Sequence, residues 1–315
     1  MKFQTEVPLV PAKGKPISFN AQTVLLGSCF TEHISEKLDF YKFQTQTNPF
    51  GILFHPQAIL TFLTHVYHNK IDENAIFFND EQWKSFDAHS RCNHHEKSIF
   101  LDQLHTQIQD CNSRFKTTSH FIITLGTAWN YRYLKTQKYV ANCHKLPSAQ
   151  FEKVLFSVDE ITDILTKIKA IIHHFNSNAE VIFTVSPVRH LKDGFVENTQ
   201  SKAHLISAIH QVVDTSVTTH YFPSYEIMMD ELRDYRFYTP DMIHPSAQAI
   251  EVIWDKFKSV WIDSNLNSTL KIIKRIQNGL QHKPMHSNSE AHQHFMASIN
   301  AEIERLKKQF PQLKF

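Results

Sequence analysis

Five apolar segments, each followed by a stretch of helical periodicity, are the feature that most constrains the fold of this 315-residue chain. The apolar segments are short and bounded by turn residues, which is typical of buried strands. The strands are predicted within 22–26, 41–47, 120–130, 179–190 and 218–228, and the helices at 30–40, 55–68, 158–176, 201–217 and 245–263. Strands that alternate with helices in this way predict a parallel α/β sheet with right-handed crossovers.

The remaining sequence suggests two additions to this sheet. Residues 76–103 are predicted to form a short hairpin or an irregular insertion. From residue 265 the sequence becomes polar and rich in histidine, with a helical pattern at 289–309. We therefore expect one α/β domain over residues 1–264 and a helical extension over 265–315.

Composition and charge exclude several classes of protein. The formal net charge is only +2, so the sequence does not indicate a nucleic-acid-binding protein. No apolar run approaches the roughly 20 residues that cross a bilayer, and the N-terminal residues lack the apolar centre of a signal peptide. Four cysteines in a chain of this length do not make a disulfide scaffold. We expect a soluble, reduced, cytoplasmic protein without a membrane partner.

Polar and glycine residues follow each predicted strand. In an open parallel sheet, ligands bind beyond the carboxyl ends of the strands. The relevant segments are 27–29, 48–51, 126–130 and 186–190, and 241–245 after the last strand. We expect these five segments to meet at one edge of the sheet.

The segments at the two ends of the domain contain the components of a hydrolytic centre. Asp241 and His244 lie three residues apart before a helix, so the carboxylate can orient the imidazole. The other ring nitrogen can then accept a proton from the Ser28 hydroxyl. The backbone N–H groups of Ser28 and Gly51 are candidate donors for an oxyanion hole. Either motif alone has a simpler explanation, since a serine at this position is commonly an N-cap and a D-x-x-H-P segment can be a capped loop.

Cys29 is a competing nucleophile directly after Ser28. A thiol is the better nucleophile at neutral pH. However, cysteine is among the most buried residue types, and the next helical position points about 100° away. We therefore predict that Ser28 is the nucleophile and that Cys29 is buried.

The chain resembles the GSCFA family, itself similar to the SGNH (GDSL-like) esterases, over roughly residues 20–260. The shared segments are LLGSCFTEHI, NPFGILFHP, LGTAWNY, VANCHKLP, SPVRHLKDGFVENTQSKAHL and YRFYTPDMIHPS. The resemblance implies a three-layer α/β/α, flavodoxin-like fold and a serine esterase site. By position it makes Ser28 the nucleophile, Gly51 an oxyanion donor, and Asp241 and His244 the remaining members of the triad.

One position departs from the SGNH pattern. The third SGNH block is Gly-x-Asn, whose asparagine is the third oxyanion donor, whereas here Gly126 and Thr127 are followed by Ala128. Three asparagines are candidates to replace that donor: Asn48, Asn130 and Asn142.

Other polar residues have open roles. Arg189 and His190 follow the fourth strand and either bind polar or anionic groups of the substrate or brace the loop. Trp129 either stacks on a sugar ring or packs at the rim, and we favour packing. A zinc site built from His89, Cys92 and neighbouring histidines is disfavoured, because no CxxC or HExxH spacing is present.

Together these patterns predict a hydrolase that cleaves a carboxylic ester through an acyl-enzyme. The reaction needs no cofactor or metal, and an acetyl ester of a carbohydrate is the expected substrate by analogy with the SGNH superfamily. Two alternatives remain open: a ligand- or glycan-binding protein that has lost catalysis, and an acyltransferase that uses the same triad.

Overall fold

The structure, a computed structural model, describes residues 5–213, 217–282 and 289–315. The ten strands in these residues are β1 (Gln22–Gly27), β2 (Gln44–Thr47), β3 (Ile76–Asn79), β4 (Gln82–Ser85), β5 (His120–Leu125), β6 (Trp129–Tyr133), β7 (Lys138–Val140), β8 (Phe151–Leu155), β9 (Glu180–Val185) and β10 (Thr219–Phe222). The α-helices are α1 (Cys29–Phe40), α2 (Pro56–His68), α3 (Lys97–Phe115), α4 (Val158–Phe175), α5 (Phe195–Val213), the single turn α6 (Ser224–Glu226), α7 (Ala247–Trp261), α8 (Asn267–Gln281) and α9 (Glu290–Gln309).

The central sheet has five strands in the order β10-β9-β5-β1-β2, and every pair is parallel. Its strands are the five that the apolar segments predict. The order reverses between β1 and β5, as in other doubly wound sheets, and ligand sites lie at such switch points.

Helices cover both faces of this sheet, which confirms the predicted three-layer α/β/α fold. Alternate strand residues point to opposite faces, so Val24 and Leu26 of β1 pack on one side and Leu25 on the other. Helices α2, α3, α4 and α5 bury their apolar stripes on the first face. Helices α1, α7, α8 and α9 cover the second face.

Three features of the architecture differ from the sequence prediction. Helix α3 was not expected, although its buried residues recur at helical spacing from Phe100 to Phe115. Residues 129–155 form a separate antiparallel sheet, β7-β6-β8, instead of continuing the predicted third strand. Helix α5 also begins at Phe195, six residues before the predicted start.

The C-terminal extension packs against the domain. Ile299, Ile303 and Leu306 of α9 are buried in the same apolar cluster as Phe19 and Trp254. Within the described residues, no helix combines the length and apolar character that crossing a bilayer requires.

Candidate functional site

The turn between β1 and α1 places Ser28 at the carboxyl edge of the sheet. Gly27 has φ +135°, and a Cβ atom there would lie 2.1 Å from the carbonyl oxygen of Thr124 on β5. Only glycine therefore allows this approach. The Ser28 N–H donates to the same Thr124 oxygen at 3.1 Å. Ser28 is the N-cap of α1, but its hydroxyl makes no capping hydrogen bond.

The relative exposure of the two candidate nucleophiles is the reverse of the prediction. Ser28 is 0% exposed, and its Oγ has no hydrogen-bond partner among the described residues. Cys29, which we predicted to be buried, is only half-buried. Burial nevertheless raises the pKa of the Cys29 thiol, so little thiolate is present at neutral pH.

Asn48 connects the end of β2 to the Ser28 turn. Its Oδ1 accepts a hydrogen bond of 2.9 Å from the Gly27 N–H. This bond identifies the opposite atom of the amide as the Nδ2 donor. The Nδ2 atom is buried and has no acceptor among the residues that the structure describes. Asn48 therefore presents an unused donor next to the residue before Ser28.

The two predicted backbone oxyanion donors are already occupied. The Gly51 N–H donates to the Asn48 carbonyl at 2.7 Å, and the Ser28 N–H donates to Thr124 as described above. Gly51 has φ +74°, which closes a tight turn after β2. Neither N–H is a free donor in this conformation, so an oxyanion would have to share or displace these bonds.

Asp241 and His244 form the oriented pair that the sequence predicts. The His244 Nδ1 lies 2.7 Å from Asp241 Oδ2. Asp241 Oδ1 accepts from the Thr239 hydroxyl at 2.6 Å and from the backbone N–H groups of Ile243 and His244 at 2.8 and 3.0 Å. These bonds, led by that of Thr239, hold the pKa of the Asp241 carboxyl well below its usual value. The His244 side chain is 43% exposed, and no hydrogen bond joins it to Ser28.

The segment after β9 links the two halves of the site. The Arg189 N–H donates to the Ile243 carbonyl at 3.1 Å, next to His244. A Cβ atom on Gly126 would lie 3.2 Å from His190 Nε2, so this ring reaches the end of β5. His190 Nε2 is buried and has no hydrogen-bond partner in the part of the chain that the structure describes. Burial, with Lys202 and His244 nearby, lowers the pKa of His190 to about 3. His190 is therefore neutral at physiological pH.

Two predicted site residues are engaged elsewhere. Asn130 is fully buried and its Nδ2 donates to the Ala128 carbonyl at 2.9 Å. Asn142 Oδ1 accepts from the His144 N–H at 2.8 Å, which shapes the loop after β7. Each side chain thus has a local structural role. The Trp129 indole N–H donates to the Glu197 carbonyl, and Lys153 lies over its ring.

Helix α5 supplies three polar residues that the sequence analysis missed. Asn198 Oδ1 accepts from the His190 N–H, and Ser201 Oγ accepts from the Ala128 N–H. The buried Lys202 ammonium donates to the carbonyls of Gly126 and Ser186, each at 2.8 Å. Burial lowers the pKa of Lys202 to about 7, and its charge also interacts with Cys29 and Arg189. The three residues lie at i, i+3 and i+4 on one helix face, which is a signal in the sequence. Ser201 and Lys202 fall within the predicted helix and only Asn198 precedes it, but their distant partners are not encoded by local spacing.

The histidine-rich insertion has local hydrogen bonds. His89 and His94 accept from the N–H groups of Arg91 and Glu96, and His95 bonds to the Glu81 carbonyl. Burial raises the pKa of Cys92 to about 11. In the described residues, no three His, Cys, Asp or Glu side chains converge as metal ligands would.

Several of the buried polar atoms that lack a partner among the described residues lie where the strands of the central sheet end. Ser28 Oγ, Asn48 Nδ2, Arg189 Nε and His190 Nε2 all belong to this group. Such atoms are costly in a folded protein and commonly mark functional sites. The carboxyl edge of the central sheet is therefore the candidate active site.

The chain matches two known family models. The GSCFA family model matches residues 22–257, which contain all of the strands of the central sheet and every candidate site residue. A second model, described as GSCFA domain protein, C-terminal domain, matches residues 273–315. No curated protein matches the chain. Because the first match covers most of the sequence, the chain belongs to the GSCFA family.

Proposed function

We propose that this protein is a serine hydrolase of the SGNH type that cleaves a carboxylic ester. The Asp241–His244 pair carries this proposal. Asp241 accepts the His244 Nδ1–H, which fixes the tautomer and leaves Nε2 unprotonated and able to act as a base. Three further hydrogen bonds, from the Thr239 hydroxyl and the backbone N–H groups of Ile243 and His244, cap this loop and hold the Asp241 carboxylate in place beside the ring.

The proposed reaction proceeds through an acyl-enzyme. Ser28 Oγ attacks the ester carbonyl while His244 Nε2 accepts the hydroxyl proton. The imidazolium, stabilised by Asp241, then protonates the leaving alcohol. Water, deprotonated by the same imidazole, hydrolyses the acyl-enzyme and releases the acid. Because Ser28 Oγ is buried and makes no hydrogen bond to His244 in this conformation, the proposed attack requires the two side chains to come together first.

Asn48 is the proposed replacement for the missing SGNH asparagine. Ala128 has no side-chain donor, and the Asn130 amide donates to a backbone carbonyl. Asn48 Nδ2, in contrast, is unused and belongs to a side chain bonded to the residue before Ser28. A buried donor aimed at a developing oxyanion is worth about 3–4 kcal/mol in a known hydrolase.

Hydrolysis of p-nitrophenyl acetate by purified variants tests this proposal. We expect Ser28→Ala to abolish activity above the background rate. Cys29→Ala is the matched control, since it removes a neighbouring nucleophile of raised pKa, and we expect it to retain most of the activity. The reverse pattern would assign the reaction to Cys29.

The second candidate is a ligand-binding protein without catalysis. It is favoured by the complete burial of Ser28 and because the backbone N–H groups of Ser28 and Gly51 already donate to backbone carbonyls. Such a protein would hydrolyse no activated ester, and its variants at Ser28 and His244 would bind ligands as the unmodified chain does. Equal, background-level rates for the unmodified chain and Ser28→Ala would support this candidate.

A further inference from the structure

A cavity of about 620 Å³ lies beside the turn that contains Asp241 and His244. Met242, which falls between those two residues in the chain, forms part of its wall. Most of the remaining wall is apolar or aromatic, including Phe195, Met228, Leu232 and Tyr238. A volume of this size accommodates a small ligand.

Arg189 is a wall residue with hydrogen-bonding capacity left for a ligand. A guanidinium has five N–H donors. Among the described residues the buried Arg189 Nε has no partner, Nη1 donates to the thioether of Met229 at 3.6 Å, and the guanidinium also interacts with the Tyr238 hydroxyl. A thioether is a weak acceptor, so these donors remain available for a stronger one.

The charge around Arg189 is not balanced by a carboxylate. Among the described residues, Arg189 takes part in no ion pair, and the only acidic side chain in the cavity wall is Asp234. Asp234 already pairs with Arg236, at 2.9 Å. Arg233 also lines the cavity, and the Lys202 ammonium is close enough for its charge to interact with that of Arg189. The cavity therefore presents positive charge beside apolar walls.

We infer that this cavity binds an anionic oxyacid group of the substrate, a carboxylate or a phosphate, through Arg189. Arginine is suited to this role because its planar fork matches both groups. The apolar walls would hold the body that carries the anion. This inference rests on the proposed function, since it places the anion on an ester substrate. The backbone N–H of Arg189 donates to the carbonyl of Ile243, the residue before the proposed base His244, so the cavity adjoins the proposed catalytic pair. The inference favours an acidic ester over a neutral acetylated sugar.

Three small probes test the inference without requiring hydrolysis. Benzoate, phenyl phosphate and benzamide share an aromatic body and differ in charge, and none is an ester. Ligand-detected NMR titration of the full chain should show that benzoate or phenyl phosphate binds about tenfold more tightly than benzamide, as expected for a charge-assisted pair. The tighter of the two anions distinguishes a carboxylate site from a phosphate site.

Two arginine variants assign the effect. Arg189→Met retains the apolar stem and should remove the preference for the anion. Arg305→Met is the matched control, because Arg305 is exposed on α9 and does not line the cavity. The residue after α9, Phe310, packs on Phe19, which precedes the first strand. The Arg305→Met variant should keep the full preference.

Equal affinity of the unmodified chain for all three probes would overturn the inference, whether or not Arg189→Met folds. An anion preference that persists in a folded Arg189→Met protein would also overturn it. Because the probes are not esters, these results are independent of the rate of p-nitrophenyl acetate hydrolysis. Loss of hydrolysis with retained anion binding would therefore reject only the proposed function.

Discussion

Asn48 has an amide whose two ends have different environments. Its oxygen accepts the Gly27 N–H, and its nitrogen is buried and has no acceptor within the described residues. Asn48→Asp keeps the acceptor for Gly27 and removes the donor, so it separates positioning from oxyanion stabilisation. We expect kcat for p-nitrophenyl acetate to fall by about 10²–10³-fold with a smaller change in KM.

Asn142→Asp is the matched control for this prediction. Its Oδ1 also accepts a backbone N–H, from His144, and the substitution preserves that acceptor. We expect its kcat to stay close to that of the unmodified chain. Equal losses in both variants would show that Asn48 has no donor role in the reaction.

His55 gives the stability of the protein a defined dependence on pH. This buried residue caps α2 by accepting the Ala58 N–H at Nδ1, and Nε2–H donates to the Val140 carbonyl. Burial lowers its pKa from 6.5 to about 4. Between these values the unfolded chain binds more protons than the folded chain, so this residue's contribution to stability falls as the pH decreases from about 6.5 to about 4.

Urea unfolding at pH 7 and pH 5 measures this contribution. His55→Asn retains a side-chain acceptor for the helix cap but does not titrate. The free energy of unfolding of this variant should therefore decrease less between pH 7 and pH 5 than that of the unmodified chain, by at most about 1.4 kcal/mol per pH unit. His68→Asn makes the same substitution at the exposed end of the same helix and is the matched control. An identical response of both variants would contradict the assignment to His55.

At the scale of elements, the β1–α1 turn depends on one glycine. Gly27 has φ +135°, and an added Cβ would lie 2.1 Å from the Thr124 carbonyl oxygen, which accepts the Ser28 N–H. We expect Gly27→Ala to lower the free energy of unfolding by about 1–3 kcal/mol or more and to displace Ser28. Urea denaturation measures the first effect, and an unchanged transition midpoint would contradict it.

The sequence predicts those elements whose pattern is unambiguous. All residues of β5 and β9 are buried, and their continuous apolar runs indicate central parallel strands. Helix α3 was missed because polar residues separate its five buried positions. The small sheet of β6, β7 and β8 was missed because its short strands are largely half-buried and lack a strong alternation.

The candidate site could be predicted only in part, for a related reason. The i to i+3 relation of Asp241 and His244 is local, and the structure pairs them as expected. The burial of Ser28 and the engagement of its N–H depend on Thr124 of another strand. The contact of Lys202 with Gly126 likewise joins residues 76 positions apart. Local spacing does not encode such partners.

At the scale of the whole molecule, the C-terminal helices share the apolar core of the second sheet face. Leu306 of α9 is 3% exposed, whereas Leu280 of α8 is 41% exposed. We expect Leu306→Ala to lower the free energy of unfolding by about 2–5 kcal/mol, because it leaves a cavity in a core that also contains residues of α1 and α7.

Leu280→Ala makes the same chemical change at the surface and should alter stability by no more than about 0.5 kcal/mol. Chemical denaturation followed by tryptophan fluorescence is a suitable measurement, since Trp254 and Trp261 lie in the same core. A similar, small effect of both substitutions would show that the extension folds independently of the α/β domain.

The nucleophilic role of Ser28 is the central claim, and covalent labelling with a fluorophosphonate probe tests it most directly. These probes react with a serine that an adjacent base activates. Peptide mass spectrometry of the labelled full chain should locate the adduct on Ser28, and His244→Ala should prevent labelling while the protein remains folded. An unlabelled native chain, or an adduct at another residue, would contradict the account.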